Sequence, residues 1–185
     1  MLPRWSLVLL LTFAGCSARN RIARPEPPAL AVPGAVAWKN HAGETFEFQY
    51  PADWEIQIPA AQAPELQLLR LHSESGFYGQ MTLLRAVPSN GVFVAQVLEN
   101  LRKGEQGLKS EPYAAPLAGV AASGYRFTFQ KEGVAWSGWV LSRPSGDGEL
   151  CVLGRWPMKA SDLETQWAVV NQSLRLTAGP ATPVP

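Results

Sequence analysis

Histidine, cysteine and surplus charge are all scarce in this chain of 185 residues, and each shortage removes a class of function. Only His41 and His72 could serve as imidazole ligands. Neither has a cysteine or another histidine at ligand spacing, so no metal site is expected. A nucleic-acid binder needs a clustered basic surplus to neutralise phosphates. Here 15 basic residues face 15 acidic ones once Arg4 is set aside with the leader, so no nucleic-acid partner is expected. Gly-x-Ser-x-Gly is absent, which leaves no serine in the context of a nucleophile elbow. Gly133, Gly138, Gly146, Gly148 and Gly154 form neither a phosphate loop nor a dinucleotide fingerprint, so no cofactor is expected either. Acid pairs such as Glu47 and Glu55 are what any chain with 15 acidic residues offers. The expectation is a protein that is not an enzyme. No apolar run approaches the roughly 20 residues that a spanning helix needs.

What the chain does have begins at its amino terminus. Residues 1–15 carry one positive charge at Arg4, an apolar stretch from Trp5 to Phe13 centred on Leu7-Val8-Leu9-Leu10-Leu11, and then small residues. That is the three-part layout of a secretory signal. Phe13-Ala14-Gly15-Cys16 follows directly and resembles the lipobox of bacterial lipoproteins. The resemblance implies that the Cys16 thiol receives a diacylglyceryl group, that cleavage falls before it, and that the new amino group is acylated. Such a protein is held to a membrane by its lipid and faces the cell envelope. Ser17 next to the cysteine implies, by the same resemblance, the periplasmic side of the outer membrane if the source is Gram-negative. Phe13 stands where the motif more often has leucine, which leaves ordinary cleavage near Ala14 or Ala18 open.

Residues 16–37 are rich in Ala, Arg and Pro without periodicity and read as a tether behind the lipidated cysteine. Proline favours extended segments of about 3 Å per residue, so a domain could stand well clear of the bilayer. Arg19, Arg21 and Arg24 in this stretch are either solvated or in contact with anionic headgroups. Residues 178–185 read as a frayed tail. If Cys16 is lipidated, Cys151 has no disulfide partner, and a single domain over residues 38–177 must hold together by its core.

Within that domain Phe46, Phe48 and Tyr50 alternate with polar residues, which predicts a half-buried strand ended by Pro51. Residues 54–58, 66–72 and 78–85 read as further strands. From Val92 the apolar spacing through Val94, Val97, Leu98 and Leu101 becomes helical, and Gly104 and Gly107 stop it. Three consecutive antiparallel strands follow, over residues 121–129, 134–142 and 149–155, joined by Gly-containing turns. Trp136 and Trp139 are separated by an odd number and should point to opposite faces, so both faces of the sheet should be covered. Ser161 with Glu164 fits a capping box, ahead of a helix that places Leu163, Trp167, Val170 and Leu174 on one face.

Cys151 lies in an apolar strand and reads as a small buried hydrophobe. The tryptophans either fill a two-layered core or leave surplus aromatic area for recognition, with Trp136 and Trp139 as the candidate partner or ligand surface. The Tyr50-Pro51-Ala52-Asp53-Trp54 turn, the run of strands from Ala121 to Leu153, and a last helix ending Gln172-Ser173-Leu174-Arg175-Leu176 resemble the PsbP/Mog1/DcrB-like superfamily. The resemblance implies an α+β fold, an α/β/α sandwich with a central antiparallel sheet and helices on both faces. It also implies an accessory or adaptor role. The function expected is a non-enzymatic binding or scaffolding module for a protein partner. The alternatives are a carrier for an apolar small molecule or lipid and, last, an enzyme of undefined reaction.

Overall fold

The computed structural model describes residues 36–60, 62–63, 65–86, 91–146 and 148–177. The leader, Cys16, most of the tether and the tail lie outside the described residues. Ten strands and two helices occur in the order β1 (Trp38–Ala42), β2 (Phe46–Pro51), β3 (Glu55–Gln57), β4 (Leu66–His72), β5 (Tyr78–Leu84), α1 (Val92–Gly104), β6 (Gln106–Leu117), β7 (Val120–Lys131), β8 (Val134–Ser145), β9 (Gly148–Pro157), α2 (Asp162–Ser173) and β10 (Arg175–Leu176). Seven strands form the main sheet in the order β3-β4-β5-β9-β8-β7-β6, and β1-β2-β10 form a small one. Every pairing is antiparallel.

Alternation along β8 and β9 divides the interior in two. Trp139, Leu141, Leu150, Val152 and Trp156 point to one face, where they meet Leu163, Trp167 and Val170 of α2, Leu174 just after it, and Phe46 and Phe48 of the small sheet. Trp136, Val140 and Leu153 point to the other, where Phe127 and Phe129 of β7 pack beneath Val94, Leu98 and Leu101 of α1. The helices therefore lie on opposite faces of one antiparallel sheet, and Trp136 and Trp139 do point opposite ways. The small sheet closes over the α2 side: Gln49 N donates to Ser173 Oγ at 2.9 Å, and β10 pairs with β2 straight after the helix.

Trp167 is fully buried at the centre of an aromatic cluster, with ring centroids 5.2 Å from Phe77, 5.7 Å from Trp139 and 6.4 Å from Trp54. The indole lies directly against the bare backbone of Gly154, where an added Cβ would stand 2.1 Å from Nε1. Gly154→Ala is therefore expected to cost about 1–3 kcal/mol by overpacking, read as a lowered midpoint in urea with an unchanged slope.

Two expectations need correction. The capping box at Ser161 does not form. Ser161 already has helical dihedrals (φ −64°, ψ −22°) and makes no side-chain cap bond, whereas a capping residue needs extended backbone. The chain enters α2 through a turn in which Leu163 N donates to Ala160 O at 3.1 Å, and Glu164 is drawn instead to Arg126 of β7. The second correction concerns residues 106–117, which carried no strand signal yet form the twelve-residue β6.

Candidate functional site

Trp139 is 4 % exposed and stacks on Trp167 at an interplanar angle of 28°, so it belongs to the core and not to a surface. The physical reason is its register: opposite Gly154 and Arg126, its ring falls under α2. Trp136 is half-buried and stacks on Phe129 at 6.0 Å, with Val134 and Met158 exposed nearby along the strand ends. The two residues thus lie on opposite faces and line no common surface. Trp54, Trp156 and Trp167 are also buried, so four of the tryptophans fill the core. Cys16 lies outside the described residues.

Cys151 is fully buried and free. Burial pushes its thiol well above the usual range, and the neighbouring Glu149 carboxylate adds to the rise. A thiol so placed is inert. Glu149 is itself buried, with Oε1 lacking a partner. Among the described residues no group of three or more His, Cys, Asp or Glu side chains is gathered as a metal site would require.

Two of the clefts among the described residues border the sheet closely enough to matter as places where another molecule could lodge. The first, of 370 Å³, runs along the flank of α1 and is bordered by Phe93, Gln96, Val97 and Asn100 above Gln80, Leu153 and Arg155 of the sheet. Its charges are internally matched. Arg155 lies 3.3 Å from Glu105 and its guanidinium sits 4.9 Å from the centroid of the Tyr78 ring.

The second, also of 370 Å³, lies between the β1–β2 hairpin and the segment after β3. His41, Glu44, Thr45 and Phe46 form one wall, and Ile58, Pro59, Gln62, Gln67, Leu68 and Leu69 the other. The hairpin presents His41 because β1 pairs residue for residue with β2, which sets the imidazole 5.0 Å from the Phe48 ring. Gln62 reaches across to the main chain of β4, its Nε2 donating to Leu68 O at 3.0 Å and its Oε1 accepting from Leu68 N. Neither wall was readable in the sequence. The residues are ordinary in type, and tertiary packing brings them together, with Thr45 Oγ1 donating to Gln67 Oε1 at 3.4 Å from one wall to the other.

Burial holds the His41 imidazole below its usual range. Folding thus favours the neutral ring. Stability from this group is fully present above about pH 6.5 and is lost as pH falls from there toward the lowered folded value. Melting temperature should drop between pH 7 and pH 5, and His41→Asn should make that drop smaller.

No family model and no curated protein sequence matches the chain. Solved structures do resemble it. The solution structure of cyanobacterial PsbP (CyanoP) from Synechocystis sp. PCC 6803 is 9 % identical and superposes with a TM-score of 0.55, over 78 % of this chain and 95 % of that one. LpqN of Mycobacterium tuberculosis, involved in cell envelope biogenesis, is 15 % identical over 78 % of this chain and 92 % of its own, with a TM-score of 0.48. A protein of unknown function from Pseudomonas aeruginosa, PA94, is 17 % identical over 72 % and 92 %, at 0.39. The first of these likenesses, with the antiparallel sheet and its two helices, makes the domain an α+β module of PsbP-like fold. At such identities the likeness concerns the fold alone.

Proposed function

We propose that this protein is a cell-envelope lipoprotein whose PsbP-like domain, held to a membrane through Cys16, serves as a non-enzymatic binding or scaffolding module for a protein partner. The observation that carries the reading is Phe13-Ala14-Gly15-Cys16 behind a short apolar leader and ahead of a proline-rich stretch. Among the described residues no helix is long and apolar enough to cross a membrane. In a Gram-negative source, Ser17 supports the periplasmic side of the outer membrane as the address. The carrier reading is the weaker one, because an apolar ligand calls for a pocket lined by aromatic and apolar side chains. Trp54, Trp139, Trp156 and Trp167 spend their area on the core, and neither cleft described above has a tryptophan in its wall.

The test is crosslinking in intact cells followed by purification of the tagged chain from solubilised membranes. A discrete partner band at constant ratio is expected. A chain that runs alone at every crosslinker concentration contradicts the reading.

A further inference from the structure

We propose that the edge of β4 left without a neighbouring strand, at Leu66–Leu69, is where an extended segment of the protein partner adds as a new strand, displacing the Gln62 side chain from Leu68 and the Ala63 carbonyl from Leu66. The inference rests on the partner-binding reading and specifies its surface. β3 covers only Arg70–His72 of β4. Continuing its register, in which Gln57 faces Arg70, would set Pro59 opposite Leu68, and proline has no N–H for the Leu68 carbonyl. β3 stops there. The Gln62 carboxamide supplies what the missing strand cannot, one donor to Leu68 O and one acceptor for Leu68 N, while Leu66 N donates to Ala63 O at 2.9 Å. A side-chain amide carries the same donor and acceptor as a peptide unit, so a strand that replaces it restores the same bonds and adds its own side-chain contacts.

Those contacts are provided for. The 370 Å³ cleft opens beside this edge, with His41 and Phe46 across from Leu69. Ile58 is 56 % exposed and Leu66 36 %, both among the most exposed large apolar side chains described. Glu44 is the one formally charged side chain in the lining, which fits a segment of apolar and hydroxyl residues in alternation.

The opposite edge of the sheet offers fewer donors for this mode. Leu117 and Val120 flank a two-residue turn, Ala118 and Gly119, both with positive φ (52° and 73°), so they exchange main-chain bonds as the closing pair. Alternation then turns the main chain of Pro112 and Pro116 outward, where neither can donate.

The test uses the ¹⁵N-labelled mature chain in detergent and a short capped peptide of alternating threonine and valine. Its counterpart, N-methylated at alternate residues, serves as the control. The expected result is a shift of the Leu66 and Leu68 amides and release of the Gln62 side-chain NH₂ signal. Binding should be about fivefold tighter to Gln62→Ala, the factor matching about 0.5 kcal/mol for each of the two competing hydrogen bonds, and the methylated peptide should not bind. Unmoved Leu66 and Leu68 amides in both proteins at millimolar peptide would make Gln62 an edge guard only and overturn the proposal. Equal binding of the methylated peptide would overturn it too, by showing a groove without strand pairing. Either failure leaves the partner reading to the crosslinking experiment, which does not depend on this edge.

Discussion

Trp167→Ala is expected to destabilise the domain by about 3–5 kcal/mol, the largest loss from any single side chain considered. The indole is fully buried and touches the aromatic rings that join α2 to the sheet, Phe77 and Trp139, with Trp54 beyond them. Phe77 in turn stacks on Trp54 at 3.9 Å, so removing Trp167 leaves a hole bounded by rings that are themselves wedged. Gly79 and Gly154 add to it, since neither has a side chain that could fall into the space. In a thermal melt the loss should appear as a drop of about 10–20 °C. Trp167→Phe should cost less, because it keeps an aromatic ring and sheds a buried indole N–H that has no partner. A drop of only a few degrees for Trp167→Ala would mean that α2 is not held by this cluster.

Cys16→Ala is expected to move nearly all of the protein from the membrane pellet to the soluble fraction. Each buried methylene of an acyl chain contributes about 0.8 kcal/mol, so two or three chains hold a protein almost permanently and their loss leaves only weak contacts. Arg19, Arg21 and Arg24 near an anionic surface would contribute roughly 1 kcal/mol each, which salt screens. The domain should melt as before, because its first strand begins only at Trp38. Retention of the variant in the pellet after a high-salt wash would show that something other than the lipid holds it.

Much of this architecture was legible because one face of most of the longer elements is apolar. β4 spans Leu66–His72 and α1 begins at Val92, as alternation and helical spacing predict, and all four residues assigned to the inner face of α2 are buried. β6 was not legible for a physical reason. Pro112 and Pro116 read as breakers, yet at a sheet edge their missing N–H groups face away from β7, where no bond is forfeited. β1 and β10 are short, and β1 is largely exposed, so they carry too few apolar residues to show a period. Spacing placed Trp136 and Trp139 on opposite faces, but it could not say that α2 would bury one while the other stayed half-open. The cleft beside β4 depends on Gln62 meeting Leu68 and on Thr45 of the hairpin meeting Gln67, relations between segments that no local pattern encodes.

The most direct test of the account is mass spectrometry of the amino-terminal peptide from protein extracted from its native membranes. The prediction is a chain that starts at Cys16 and carries a diacylglyceryl group with a further acyl chain on its amino group. A chain that starts at Ser17 or beyond, or an unmodified Cys16, would contradict it.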